Sequence, residues 1–194
     1  MPLLGLTGGM GAGKSTALAA LERLGAATLS SDAVVHELYG EARLREAVVA
    51  RWGPEVAPGG AVDRALIAGR AFASPEERAW LESTLWPLVG ERMTQWLMAA
   101  RARSPAPRAA VVEVPLLFEA GMEEAFDATI AVIAGEATRA RRAASRGHAS
   151  EDARAARQLS QHEKAERATF VVHNDGTEAE LTEQLSGVLE KLGR

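Results

Sequence analysis

Cysteine is absent from the 194 residues of this chain, which excludes disulfides and thiolate metal sites. Long apolar runs are absent too, since no stretch approaches the roughly 18 residues that a membrane-spanning helix needs. The four histidines are scattered without metal-ligand spacing. A strand and a glycine-rich turn occupy the chain from Leu3 onward, so we expect no signal peptide. These absences favour a cytoplasmic protein with no membrane association.

The chain also lacks an excess of basic residues, with 22 lysines and arginines against 26 aspartates and glutamates. The formal net charge is −4 and the pI is near 5.7, which argues against a dedicated nucleic-acid binder because such proteins are usually basic. Of the 22 basic residues only Lys14, Lys164 and Lys191 are lysines. A hydrophobic fraction of 47% and a charged fraction of 25% are typical of a soluble globular domain. No obligate protein partner is indicated.

A phosphate-binding motif stands near the start of the chain. Gly8 to Ser15 matches the P-loop pattern G-x-x-x-x-G-K-[ST], with an apolar strand before it and a helix after it. Glycines let backbone N–H groups converge on a phosphate, and the helix N-terminus adds its positive dipole end. A lysine at the required position is informative in a chain with so few lysines. The expected ATP-binding residues are Gly11, Ala12, Gly13, Lys14, Ser15 and Thr16.

Two side chains of the motif carry its chemistry. We expect Lys14 to place its charge on the β- and γ-phosphates, and Ser15 to offer its hydroxyl to Mg²⁺. ATP and Mg²⁺ are therefore the expected ligands. The alternative is a glycine-rich strand-to-helix turn that binds no ligand.

Apolar runs of strand length alternate with helical segments. The runs are continuous rather than alternating, which predicts a parallel sheet covered on both faces. The fold class is therefore α/β, a three-layer α/β/α P-loop fold with a parallel sheet of about five strands, and the ligand should lie at the carboxyl ends of the strands. The predicted strands are 3–7, 26–29, 109–114, 128–133 and 169–172.

Helices are predicted at 15–24, 41–52, 136–147, 150–164 and 178–192, and another follows Ser30 through Leu38 with Ser31 or Asp32 as its N-cap. Residues 62–102 are helical in two or three pieces, with breaks expected at Ser74-Pro75 and Trp86-Pro87. This strand-free stretch looks like an insertion. We expect the tryptophans to form its core: Trp52, Trp80, Trp86 and Trp96.

Two carboxylates follow predicted strands. Asp32 could accept a proton from an acceptor hydroxyl or hold Mg²⁺ through water, and capping a helix is the equally supported alternative. Glu113 stands where a metal-associated carboxylate occurs in P-loop proteins, or it is an edge residue before a proline turn. Asp63 and Arg64 could face an acceptor, the alternative being a helix cap or a surface ion pair.

A basic helix is the candidate for closing over ATP. Arg142 and Arg146 are four residues apart and share a helix face, with Arg139 and Arg141 beside them and Gly147 as a hinge candidate. Such a lid would neutralise phosphate charge. The alternative is a solvated basic helix in an arginine-rich protein.

Several of these segments together resemble dephospho-CoA kinase, over residue 3 to about 190. The P-loop is shared by many families, but the later segments are far more specific in combination. The residues that carry the resemblance are Gly5 to Ser15, Asp32, Val114-Pro115-Leu116-Leu117-Phe118-Glu119, Arg142, Arg146, the pair Arg157 and Gln161, Glu163-Lys164 and Asn174-Asp175-Gly176.

The resemblance implies ATP-dependent phosphorylation of the ribose 3′-hydroxyl of dephospho-CoA, which yields CoA and ADP in the last step of coenzyme A synthesis. It implies a nucleotide-monophosphate-kinase-like fold with a P-loop core at 1–60 and 106–194, a helical acceptor-binding insertion at 62–105 and a lid at about 138–150. Lys14, Asp32 and Arg142 would be catalytic, with Asp32 as general base. Arg142, Arg146 and Asn174 would bind ATP, with adenine near Asn174, and the acceptor would meet Asp32, Arg64, Leu116, Leu117, Phe118 and Glu119.

This chain departs from the family pattern at three positions. Ser30 stands where the family usually has the first aspartate of Asp-x-Asp, Trp86 replaces the histidine of His-Pro, and Arg139 replaces a frequent glutamine. One alternative function is another small P-loop kinase for a nucleoside, nucleotide or sugar-like acceptor. A regulatory nucleotide-dependent ATPase is the other, although the Asn-Lys-x-Asp motif of GTPases is missing.

Overall fold

The structure, a computed structural model, describes residues 1–144 and 158–193. Five parallel strands form one sheet, which confirms the predicted α/β class and strand number. The order is β2-β3-β1-β4-β5. The strands are β1 (Leu3–Gly8), β2 (Ala27–Ser30), β3 (Ala110–Glu113), β4 (Ala128–Ile133) and β5 (Phe170–His173).

Residues 1–30 and 99–194 form the first of two compact units. Helices α1 (Lys14–Arg23) and α8 (Glu178–Leu192) pack together against the sheet. Their fully buried leucines join those of β1 in the main hydrophobic core, where burial of apolar area provides the driving force. This unit also contains α6 (Glu136–Ala144) and α7 (Gln161–Arg167). The central core leucines are Leu4, Leu6, Leu21, Leu181 and Leu185.

The strand order places the ligand crevice within this unit. After β1 the chain passes to β2 on one side, whereas after β4 it passes to β5 on the other. Neighbouring strands whose connections leave in opposite directions open a crevice at their carboxyl ends. The glycine-rich turn follows β1 and helix α6 follows β4, so both flank that crevice.

Residues 31–98 form the second compact unit. It contains α2 (Ser31–Leu38), α3 (Ala42–Trp52), α4 (Arg64–Ala71) and most of α5 (Pro75–Arg101). Trp52 and Trp80 pack edge to face with ring centroids 4.9 Å apart. Trp86 is 49% exposed, so the prediction that it belongs to the core is wrong. The role of 62–105 as an acceptor-binding insertion stays a prediction.

Three local predictions are corrected. Helix α5 continues through Pro87 without the expected break, because the buried Leu81, Leu88 and Val89 stabilise it through tertiary contacts that outweigh one lost hydrogen bond. Helix α2 begins at Ser31, so Asp32 lies inside its first turn rather than at the N-cap.

The third correction concerns the predicted helix 150–164. Residues 150–157 of it lie outside the described part of the chain, and α7 begins only at Gln161. A capping box explains this start, because the Ser160 hydroxyl accepts from the Glu163 N–H while the Glu163 carboxylate accepts from the Ser160 N–H. The Ser160 hydroxyl also donates to the Glu163 carboxylate at 2.7 Å, and this bond first, with that from the Ser160 N–H, holds the pKa of Glu163 below its ordinary value.

Candidate active site

The glycine-rich turn has the geometry of a phosphate cradle. Gly11 has φ +73° and Gly13 has φ +92°, both in the left-handed region that favours glycine. The Ala12 N–H donates to the Gly9 carbonyl at 3.2 Å, which closes the turn. Gly13 is the N-cap of α1. The turn therefore depends on its glycines, as the motif predicts.

Alanine at Gly13 is expected to destabilise the protein and weaken ATP binding. The left-handed backbone costs an ordinary residue about 1–2 kcal/mol, and a Cβ would overlap the Asn174 amide. Gly69 in α4 is the matched control, because a Cβ there meets nothing within 4 Å. The control substitution should stabilise by about 0.5–1 kcal/mol, as for any helical glycine. Urea unfolding and ATP titration of both variants measure this; equal effects at the two sites would contradict it.

The N-terminus of α1 is suited to an anion. Within the described chain, no side chain caps this helix and its first turn contains no acid. Its first N–H groups lack intrahelical partners, and with the helix dipole they form a site for a phosphate. Ser15 is an exposed residue in this turn, at the same helix end. The Lys14 Nζ donates to the carbonyls of Gly8 at 3.1 Å and Gly9 at 3.3 Å, so it lies over the turn.

Two arginines of α6 lie against the same turn. Arg142 donates from Nη1 to the carbonyls of Gly11 and Ala12, each at 3.4 Å. Arg139 approaches so closely that a Cβ on Gly11 would lie 2.7 Å from its carbonyl oxygen. The sequence places Arg139 in the basic cluster without marking it as an ATP ligand, although its position three residues before Arg142 puts both on one face. The structure thus groups Lys14, Arg139 and Arg142 at the turn.

Asn174 follows β5 and is buried, with 4% of its surface exposed. Its side-chain amide donates to the Ala12 carbonyl at 2.8 Å, so it holds the glycine-rich turn in place. The next residue, Asp175, accepts from the Gly135 N–H at 2.6 Å, which ties the start of α6 to the loop after β5. The Asn174 side chain therefore lies at the glycine-rich turn, where it is hydrogen-bonded to the backbone of the turn.

The carboxyl edge of the sheet contains a further acid. Glu113 pairs in register with Leu6 of β1 and with Ser30 of β2, and it is 9% exposed. Asp32 stands two residues beyond Ser30 in the chain and is exposed in the first turn of α2. Asp32 belongs to the second unit.

The segment after β3 is mostly packed inward. Leu117 and Phe118 are buried, Leu116 is half-buried, and a Cβ on Gly5 would lie 2.5 Å from the Leu117 side chain. The Glu119 carboxylate accepts from the Leu159 N–H at 2.8 Å and pairs with Lys164. Contact between this segment and an acceptor stays a prediction.

The remaining predicted residues lie elsewhere. Asp63 caps α4 by accepting from the N–H groups of Ala65 and Leu66. Arg64 in the second unit contacts His36. Arg146 and residues 145–150 of the predicted lid lie outside the described residues. Within 1–144 and 158–193, no three or more His, Asp or Glu residues form a metal cluster, and no helix has the length and apolarity to cross a bilayer.

A family model and individual relatives of this chain indicate the same family. Residues 2–180 match the family model described as dephospho-CoA kinase. A dephospho-CoA kinase of Deinococcus radiodurans is 40% identical over 97% of this chain and 91% of its own length. One from Anaeromyxobacter dehalogenans is 38% identical over 99% of this chain and 90% of its own length.

Solved structures show the same fold. A crystal structure from Thermus thermophilus superposes with a TM-score of 0.81 at 34% identity, covering 98% of this chain and 97% of that one. A dephospho-CoA kinase from Campylobacter jejuni superposes with a TM-score of 0.70 at 22% identity, covering 98% and 96%. The second likeness supports the fold alone.

Proposed function

This chain belongs to the dephospho-CoA kinase family, and we propose that it transfers the γ-phosphoryl group of ATP to the ribose 3′-hydroxyl of dephospho-CoA. The products are CoA and ADP, and the reaction is the last step of coenzyme A synthesis. The observation that supports the donor half is the meeting of Lys14 and Arg142 on one glycine-rich turn. Family membership over residues 2–180 supports the acceptor.

Phosphoryl transfer needs charge stabilisation around the moving group more than it needs covalent chemistry from the protein. In our proposal the N–H groups of the turn and of α1 bind the phosphates of ATP. Lys14 and Arg142 neutralise the charge that builds up on the γ-phosphoryl group and the leaving ADP. Gly11, Ala12, Gly13, Ser15 and Thr16 complete the ATP site, with Arg146 as a further phosphate ligand.

We assign the general base to Asp32. Its carboxylate would take the proton of the 3′-hydroxyl as the oxygen bonds to the γ-phosphorus and the bond to ADP breaks. The position supports this, since Asp32 stands two residues after the end of β2 in the chain and is exposed at the start of α2.

We propose that the Ser15 hydroxyl is a ligand of Mg²⁺. The donor set fits, because Mg²⁺ with a nucleotide needs few protein ligands and takes phosphate oxygens and waters for the rest. The exposed Ser15 residue stands in the first turn of α1, beside the phosphate cradle. When bound, the ion would neutralise charge on the β- and γ-phosphates.

The adenine of ATP is assigned to the loop that begins at Asn174. Backbone beyond the carboxyl end of a strand can reach a purine edge, and this loop follows β5 in the unit that contains the glycine-rich turn. The Asn174 side chain supports the site by holding Ala12. We assign the acceptor to Asp32, Arg64, the helical region 62–105 and residues 116–119, and the lid to about 138–150.

We further propose a cytoplasmic protein that acts on small molecules, without a nucleic-acid, membrane or obligate protein partner. The net charge of −4 and the absence of cysteine from the sequence support this.

The test is a panel of acceptors incubated with the protein and MgATP. Phosphorylation of dephospho-CoA well above that of nucleosides, nucleotides and sugars is expected. Preference for a different hydroxyl acceptor would favour another small kinase. ATP hydrolysis that does not depend on an acceptor would favour a regulatory ATPase and contradict the proposal.

A further inference from the structure

Lys164 is a buried charge with no role in the chemistry proposed so far. Its side chain is 0% exposed in the middle of α7. An ammonium group loses its hydration when buried, and this is tolerated only when it is fully hydrogen-bonded and paired. Something in the protein therefore compensates this charge.

Three acceptors surround the Lys164 Nζ. They are the Pro115 carbonyl at 2.7 Å, Oε1 of Glu119 at 2.9 Å and the Thr7 hydroxyl oxygen at 3.3 Å. An ammonium has three N–H donors, so each can be used. The Thr7 hydroxyl in turn donates to the Pro115 carbonyl at 3.3 Å. The result is a closed polar network inside the first unit.

Glu119 depends on this network. Its Oε1 accepts from the Leu159 N–H at 2.8 Å as well as from Lys164, while its Oε2 is buried with no hydrogen-bond partner among the described residues. Among residues 1–144 and 158–193, the cation that pairs with this carboxylate is Lys164. Loss of the lysine would leave a buried carboxylate with its charge uncompensated, which is strongly unfavourable.

The network joins segments that the reaction must hold in register. Thr7 directly precedes Gly8 of the phosphate cradle, and the segment 115–119 contains residues 116–119, which are assigned to the acceptor. The third segment is α7, which also contacts the cradle: a Cβ on Gly9 would lie 3.0 Å from the Gln161 side chain. Gln161 further exchanges two hydrogen bonds with the Ala134 backbone just before α6, at 2.9 and 2.8 Å.

We infer that Lys164 is a positioning residue for phosphoryl transfer: its ammonium fixes the 115–119 segment against the strand that enters the phosphate cradle. It touches neither substrate in this account. The inference rests on the proposed function, because that function assigns residues 116–119 of this segment to the acceptor. A misplacement of about 1 Å between reacting groups can lower turnover about a hundredfold.

Lys164→Met is the direct variant. We expect kcat to fall about ten- to a hundredfold, with the KM values for ATP and dephospho-CoA close to those of the wild type. Lys191→Met is the matched control, since it makes the same chemical change at an exposed lysine of α8 and should leave kcat unchanged. Rates are compared at a temperature where circular dichroism shows every variant folded.

A second variant separates positioning from stability. Lys164→Met combined with Glu119→Gln removes both charges, and the glutamine can still accept from the Leu159 N–H. This double variant should unfold at a higher temperature than Lys164→Met, because no charge is left buried and unpaired. Its kcat should stay low, because the ammonium that contacts Thr7, Pro115 and the side chain at position 119 is still missing.

Three results would overturn the inference. They are a kcat that Lys164→Met leaves unchanged, a loss confined to ATP affinity, and a kcat that returns in the double variant together with its stability. If Lys164→Met does not fold, the double variant alone decides by its kcat. A wild-type protein that fails to phosphorylate dephospho-CoA would overturn the proposed function and this inference with it, whereas turnover shared by wild type and variants would overturn the inference alone.

Discussion

Asparagine at position 32 is expected to lower kcat about 10²- to 10⁴-fold, the usual contribution of a positioned general base. An amide has nearly the size of the carboxylate but cannot take the proton of the acceptor hydroxyl. Asp32 is exposed in the first turn of α2, and substitutions at exposed positions usually change stability little, so the fold should be retained.

The same variant should bind ATP with unchanged affinity. Its phosphate site is formed by the glycine-rich turn and α1, which belong to the other compact unit. Steady-state kinetics with dephospho-CoA and a titration with ATP alone measure the two quantities. Glu37→Gln is the matched control, since Glu37 is an exposed acid on the same helix. An unchanged kcat in Asp32→Asn would contradict the role of Asp32 as the base. A weaker affinity of this variant for ATP would instead indicate that Asp32 contacts the nucleotide.

Methionine at position 14 is expected to lower kcat/KM for ATP by at least about 10²- to 10³-fold, the cost of removing one donor aimed at developing charge. The Lys14 Nζ lies within hydrogen-bond reach of the Gly8 and Gly9 carbonyls at the turn. A full positive charge there acts on the triphosphate and, more strongly, on the charge that moves to ADP during transfer. The KM for ATP should therefore rise and kcat should fall.

Two controls define this result. Lys191→Met makes the same change outside the site and should retain wild-type kinetics. Lys14→Arg keeps the charge but spreads it over a planar group, so it should recover only part of the activity. Isothermal titration with ATP and stopped assays with dephospho-CoA measure binding and turnover. Wild-type kcat in Lys14→Met would contradict the assigned role of this lysine.

Local sequence features predicted much of the fold. The runs 128–133 and 178–192 coincide with β4 and α8, because a continuous apolar run and an amphipathic period each specify one kind of element. The glycine-rich turn was predictable for the same reason, since positive φ at Gly11 and Gly13 is a local requirement. Predictions failed where tertiary contacts overrode local propensity, as at Pro87 within α5.

In the candidate site, too, some residues were predictable from local sequence and others depend on tertiary packing. Lys14 and Arg142 could be proposed from a motif and a charge cluster, and the structure places both on the turn. From the sequence, Arg139 was part of the basic cluster around Arg142, and Gln161 was part of the family resemblance. Their contacts with Gly9 and Gly11 depend on how β4 and α7 pack beside β1, which no local pattern encodes.

The sequence by itself determined that this chain has a phosphate cradle, five strands for a parallel sheet and a family membership that names a kinase. It could do so because glycine backbone freedom, hydrophobic period and motif spacing all act over a few residues. Only the tertiary structure decided that Lys164 is buried on Thr7, which lies 157 residues away in the chain. Contacts at such separation arise from the packing of the whole sheet and its helices, and they make Lys164, which the sequence marked only as part of the family resemblance, the link between the phosphate cradle and the segment assigned to the acceptor.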